Sequence, residues 1–309
     1  NLKDSFKNFL FSIKLQYRNL DTFIHPTFKG TVHPGVKRFE NTKVALSEWP
    51  DRIKYVLEAG FEIGCTPFDE ISVKKVISDT SFSFLKIGSC SFTDWPMLDE
   101  IREASEKTSR QINIIASTGG SSLNEIDKVV SFLSKSENIN LSLMHCIAKY
   151  PSSKKDQNLL WIRKLRERYN INIGLSTHEN GEELYSGAFA ACVGANIFEK
   201  HVVHESADNI NKYSSKPSEM RKWLSNLEEA LLYLGSNSQR EGLFVFEKNY
   251  LDGFRRGAYS TDLINPKSLL NKTNVSFCFP LNEGQISANE WSKHSKIKTI
   301  SEIPRNGKI

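Results

Sequence analysis

Seven short runs rich in β-branched and aromatic residues recur along the first 200 positions, at 11–16, 61–66, 82–88, 112–117, 139–145, 171–176 and 195–200. Amphipathic stretches long enough for helices lie near 47–59, 69–79, 95–107, 122–135, 156–169, 181–193 and 217–234. Helix-length crossovers without tight turns make neighbouring strands parallel, because an antiparallel pair needs only a short hairpin. Two architectures satisfy that alternation, a (β/α)8 barrel and a doubly wound open sheet. No Gly-rich dinucleotide fingerprint follows any run, which favours the barrel. Segment 1–10 (NLKDSFKNFL) reads as a helix that would follow a first strand, so the expectation is a (β/α)8 TIM barrel lacking its first strand. Helix starts are signposted by Asp94-Trp95-Pro96 and by the capping-box spacing of Ser122 and Glu125.

The 309 residues accommodate such a barrel plus an appendage. With 39% hydrophobic and 25% charged residues, the chain is neither disordered, collagen-like nor coiled-coil. No run approaches the ~18 apolar residues of a membrane span. Lys+Arg 41 against Asp+Glu 36 gives +5, too weak and too evenly spread for nucleic-acid binding but suited to a small anionic substrate. Cysteines 65, 90, 146, 192 and 278 form no CxxC pair, which implies reduced thiols and a cytoplasmic protein rather than a disulfide framework or zinc site. The domains expected are a barrel over 1–235, a polar linker over 236–272 and a small β-rich module over 273–309. A start in mid-helix at Asn1 and an end just after a strand-like start suggest truncation at both ends.

Active sites of barrels form at the C-terminal ends of strands, so the polar residues closing each run carry the information. These are Lys14 and Gln16, Thr66, Lys86 and Ser89, Ser117 to Gly120, His145 and Tyr150, Ser176 and His178, then Glu199, Lys200 and His201. Lysines, hydroxyls and glycines together suit an anion with several oxygens, such as phosphate plus carboxylate. Lys14 and Lys86 sit within apolar runs, where an unpaired ammonium is costly. His178 and His201 end consecutive strands; they either share one metal ion, with water or substrate oxygens in the open positions, or are two unrelated histidines. His145, inside LSLMHC, reads as a core histidine. A Schiff-base lysine at Lys14 or Lys86 is the rival chemistry, disfavoured because the serines and glycines nearby suit anion binding better than a dry pocket.

The motifs IKLQ (13–16), CTPFD (65–69), FLKIGS (84–89), ASTGG (116–120), HCIAKYP (145–151), GLSTHENG (174–181) and GANIFEKHVV (194–203) occur in an order and spacing that resembles the sialic acid synthase (N-acetylneuraminate synthase) family. The resemblance runs from residue 1 to about 235. It implies a barrel enzyme of cell-surface carbohydrate biosynthesis, a transferase condensing phosphoenolpyruvate with an N-acetylated amino sugar and releasing phosphate. It also implies a divalent metal, manganese or magnesium, and a C-terminal antifreeze-like (SAF-type) domain reaching the partner's site in a domain-swapped homodimer.

Carried onto this sequence, the resemblance assigns Lys14, Thr66 and Lys86 to the carboxylate and phosphate of phosphoenolpyruvate, with Ser89, Ser117 and Ser176 on the phosphate. It makes His178 and His201 the metal ligands and turns Gln16 and Tyr150 toward the sugar. FRRG (254–257) resembles the start of the antifreeze-like domain, so Arg255 or Arg256 would reach a partner's sugar site. The departures are Ser91 for an acidic residue, Ala148 for asparagine and Thr177 for aspartate, while an aspartate after the last strand falls among Asp208, Asn209 and Asn211. They imply a divergent sugar specificity. The alternative is a catalytically weakened barrel that binds phosphoenolpyruvate or a sugar phosphate as a regulatory subunit.

Overall fold

The computed structural model describes residues 2–207, 211–235, 244–294 and 296–309, and the chain divides into two compact units, Asn1–Gly235 and Ser236–Ile309. Among the described residues of the first unit, eight parallel strands pair in sequence order: β1 Ser12–Tyr17, β2 Glu62–Pro67, β3 Phe84–Ile87, β4 Ile112–Ser117, β5 Ile139–His145, β6 Ile173–Thr177, β7 Ile197–Val202 and β8 Ser214–Ser215. The first seven match the expected runs. β8 was not expected: it pairs only His201 with Ser214 and Val202 with Ser215, and two serines carry no apolar pattern to reveal it.

The sheet is curled. In a flat sheet β1 and β7 would lie six strand spacings apart, about 29 Å. Lys14 on β1 nevertheless comes within 3.8 Å of Glu199 on β7, and Lys86 on β3 within 3.4 Å of the same carboxylate. The eight strands therefore form a curved, barrel-like layer, with β1 and β8 as the edges of the pairing order.

Helices Trp49–Glu58, Glu70–Ser78, Trp95–Glu106, Leu123–Leu133, Leu160–Tyr169, Ser186–Cys192 and Pro217–Leu234 follow the predicted pattern. Asp94 accepts from Met97 N–H, and Ser122 forms a full capping box with Glu125. The main core lies between strands and helices, where Ile63, Val73, Leu85, Ile87, Ile101, Ile114 and Ile126 are fully buried. Trp223 lies against Gly187, where a Cβ would come within 2.3 Å of the indole, so only glycine admits this close approach of helices Ser186–Cys192 and Pro217–Leu234. Between β1 and helix Trp49–Glu58 the chain adds helices Leu20–Phe23 and Pro34–Asn41, which bury Leu20, Ile24 and Val36 in a small cluster of their own.

The second unit holds helix Phe244–Asp252 and an antiparallel pair, β9 Gly257–Ser260 with β10 Val275–Cys278. Ala258, Ile264, Leu270 and Val275 form its buried core, which Ile286, Ile303 and Ile309 join. Residues 257–272, expected as linker, thus supply strand β9 and core side chains; residues 236–243 of that stretch lie outside the described residues. Among the described residues, no helix is long and apolar enough to cross a membrane.

Candidate active site

Strand alternation sends every second side chain to the concave face, so Lys14 and Gln16, Lys86, Ser117, Ser176, and Glu199 and His201 are presented together. Lys14 Nζ donates to Thr66 Oγ1 at 3.1 Å and faces Glu199 Oε1 at 3.8 Å. Lys86, only 3% exposed, donates to Ser117 Oγ at 2.6 Å and faces Glu199 Oε2 at 3.4 Å. Ser176 Oγ donates to Glu199 Oε1 at 3.4 Å. Five of the expected anion-site residues thus meet in one network around the Glu199 carboxylate, a strand-end residue with no role implied by its sequence context.

Burial alone would raise the Glu199 carboxyl, but the ammonium groups of Lys86 and Lys14 hold it down at about 2. Burial lowers the Lys14 ammonium against the opposing pull of Glu199. Two ammonium groups against one carboxylate leave an excess positive charge among hydroxyl groups, the condition for binding an anion of several oxygens.

Beside this network, the N–H of Gly119 donates to Ser89 Oγ at 3.2 Å, and Ser89 Oγ lies 2.9 Å from Cys146 Sγ. A Cβ on Gly119 would stand 2.6 Å from that sulfur and 2.8 Å from Ser89 Oγ, so the backbone approaches closely here because the residue is glycine.

His178 and His201 lie side by side, with ring centroids 5.4 Å apart. The Tyr150 ring lies tilted against His178 at 4.2 Å, and Tyr213 meets His201 edge to face at 5.1 Å. His178 Nδ1–H donates to the Ile147 carbonyl at 3.3 Å, which fixes the tautomer and leaves Nε2 with its lone pair. Burial lowers both imidazoles, His201 to about 4 with the neighbouring His178 adding to the effect, so both are neutral near pH 7. Two neutral, adjacent imidazoles fit a divalent ion with two protein donors, and no group of three or more His, Cys, Asp or Glu among the described residues is arranged to hold one. His145 is the expected core histidine: Nε2–H donates to the Gln157 carbonyl at 2.6 Å.

Gln16 Oε1 accepts from Arg18 Nη2 at 2.5 Å, and the Arg18 guanidinium stacks on Phe39 and Phe68 at 4.4 and 4.2 Å. Sequence reasoning missed Arg18, whose continuation of the 14, 16, 18 alternation was the available signal, and Tyr213, which had none. Arg255 and Arg256 belong to the second unit, where Arg255 Nη1 pairs with Asp252 at 2.6 Å and Arg256 is exposed. Among the departures, Ser91 and Thr177 are buried, and Thr177 Oγ1 has no hydrogen-bond partner among the described residues. Asp208 and Asn209 lie outside the described residues. A separate cavity of about 860 Å³, lined by Asn140, Arg163, Arg166 and Asn172, opens at the N-terminal ends of β5 and β6, away from these groups.

The model of the NeuB family matches residues 12–239, a span that covers β1 to β8 and the whole strand-end cluster. The chain belongs to the NeuB family. Two solved structures and a curated relative are similar to it in part or in full. A protein described as spore coat polysaccharide biosynthesis protein E from Chromobacterium violaceum is 38% identical, with a TM-score of 0.89 over 100% of this chain and 90% of that one. The N-acetylneuraminic acid synthetase of Leptospira borgpetersenii, solved with citrate, is 25% identical with a TM-score of 0.66, covering 77% of this chain and 80% of its own. The N,N'-diacetyllegionaminic acid synthase of Campylobacter jejuni is 26% identical over 194 residues, 60% of this chain and 55% of that relative's length.

Proposed function

We propose that the chain carries the synthase site of a nonulosonic (sialic-acid-like) acid synthase, condensing phosphoenolpyruvate with an N-acetylated amino sugar. The observation that carries this reading is the meeting of Lys14 and Lys86 at Glu199, ringed by Thr66, Ser117 and Ser176. The two ammonium groups would clamp the carboxylate and phosphate of phosphoenolpyruvate, with Ser89, Ser117 and Ser176 donating to phosphate oxygens. Gln16, held by Arg18, and Tyr150 would orient the open-chain sugar, so that two reactants meet in one geometry.

C3 of the enol then attacks the sugar aldehyde carbon, forming the new carbon–carbon bond, and the aldehyde oxygen takes a proton. Water adds to the cationic C2 and loses a proton. Cleavage of the C2–O bond expels inorganic phosphate and leaves the 2-keto acid, which makes the sequence irreversible. Manganese or magnesium held by His178 and His201 would supply Lewis-acid polarisation of the aldehyde. The second unit would act as a SAF-type module, with Arg255 or Arg256 reaching the sugar site of a partner in a homodimer.

The test is phosphate release from phosphoenolpyruvate and Mn²⁺ across a panel of N-acetylhexosamines. Release with at least one sugar, and a product mass equal to both reactants plus water less phosphate, is expected. A folded protein silent across the panel contradicts the reading. The second reading, binding without turnover, draws on Thr177, which stands where the family's aspartate is expected and buries an unpartnered hydroxyl. Phosphoenolpyruvate binding with no release would favour it.

A further inference from the structure

We propose that the buried Glu179–Lys200 ion pair is a positioning device that sets the separation of the His178 and His201 imidazoles, and this rests on the reading of those two histidines as metal ligands. Lys200 Nζ lies 2.8 Å from Glu179 Oε1, and the two side chains are only 1% and 2% exposed. Burying both charges carries a desolvation penalty that their attraction seldom exceeds, and an apolar pair of similar volume would usually be as stable. Glu179 adds a second cost, because its Oε2 is buried without a partner among the described residues. Stability therefore does not account for the pair, whereas its place in the fold does.

Glu179 directly follows His178, and Lys200 directly precedes His201. The β6–β7 register pairs Ser176 with Glu199 and Thr177 with Lys200, so the next step along each strand brings the two histidines to neighbouring positions. Alternation sends the imidazoles to the concave face and the ion pair to the opposite one. Tying 179 to 200 behind the sheet thus fixes the two backbones whose next residues carry the rings.

The tie is itself anchored. Ser186 Oγ donates to Glu179 Oε1 at 2.6 Å and accepts from Trp223 Nε1–H at 3.0 Å, with Trp223 fully buried. On the other side, Ser152 N–H donates to the His178 carbonyl at 2.9 Å. The carboxylate so links β7 to helices Ser186–Cys192 and Pro217–Leu234, and the ring separation of 5.4 Å is the output of that frame.

The experiment measures Mn²⁺ affinity of the full chain from the electron paramagnetic resonance signal of free Mn²⁺, alongside phosphoenolpyruvate affinity in metal-free buffer. The unsubstituted protein is expected to bind Mn²⁺ in a manner lost in His178→Ala. Lys200→Met should weaken Mn²⁺ about 10–100-fold, the scale on which loss of the surrounding interactions that orient metal ligands is felt. Lys200→Arg, which keeps the charge, should recover most of that loss. Phosphoenolpyruvate affinity should stay within about two-fold in both variants, a separation that general loss of structure would not produce. Where Lys200→Met does not fold, the double variant Glu179→Leu/Lys200→Met, which leaves no lone buried charge, is read in its place and should show the same weakening. Unchanged Mn²⁺ affinity in the folded variant overturns the inference alone. Absence of His178-dependent Mn²⁺ binding in the unsubstituted protein overturns the metal reading and the inference with it.

Discussion

The Glu199 carboxylate lies 3.4 Å from the Lys86 ammonium, although three strands separate β7 from β3 in the sheet. Curvature alone brings them together, and the contact makes the fold and the candidate site one electrostatic unit. Glu199 sits at about 2 against an ordinary 4.5, so its stabilisation is fully present above about pH 4.5 and is lost as pH falls toward 2. The gap corresponds to ~3 kcal/mol at neutral pH. Glu199→Gln should therefore cost about that much in urea unfolding at pH 7, and less than half of it at pH 3. An equal cost at both pH values would show that the carboxylate's charge is not what stabilises.

Neighbouring glycines at the end of β4 should respond differently to the same substitution. A methyl on Gly119 meets Cys146 Sγ and Ser89 Oγ below 3 Å, whereas one on Gly120 meets nothing within 4 Å. Gly120 instead holds a φ of +78°, where an L-residue is strained by about 1 kcal/mol. Gly119→Ala should thus weaken phosphoenolpyruvate binding at least ten-fold by displacing Ser89, while Gly120→Ala lowers the melting temperature with little effect on binding. Calorimetric titration and thermal melts of the two variants check this pairing.

Arg18 fixes Gln16 through a geometry that lysine cannot copy, a planar cation between the rings of Phe39 and Phe68 with one N–H on the amide oxygen. In Arg18→Lys the acceptor sugar's KM should rise about ten-fold while phosphoenolpyruvate affinity holds. Steady-state kinetics with each substrate varied in turn separates the two effects.

Much of this architecture was legible in the chain. Strands 112–117 and 139–145 have the predicted bounds because each opens on a buried isoleucine and stays mostly apolar until a polar residue, Ser117 or His145, closes it. Asp94 and Ser122 mark helix starts because each offers a side-chain oxygen to an N–H that the helix leaves unpaired. Lys14 and Lys86 stood out as charges within apolar runs. Glu199 was equally conspicuous, yet its partners lie 185 and 113 positions away and meet it only after the sheet curls, which no local pattern encodes. The Glu179–Lys200 pair was hidden because it forms only once β6 pairs with β7 in the register that sets Thr177 beside Lys200. Strand β9 was read as linker because Gly253, Gly257 and Pro266 gave 236–272 a loop-like texture, while Ala258 and Ile264 drew their burial from residues as distant as Ile309.

Whether the strand ends form a phosphoenolpyruvate site built on Lys14 and Lys86 is tested most directly by a titration. Phosphoenolpyruvate is titrated calorimetrically into the unsubstituted protein, Lys14→Met and Lys86→Met, each shown to be folded by its melting transition. Saturable binding by the unsubstituted chain, weakened by about 100-fold or more in each variant, is the expected result, since each loses a charge-assisted contact worth about 2–3 kcal/mol or more. Absence of saturable binding, or equal affinity in all three proteins, would contradict it.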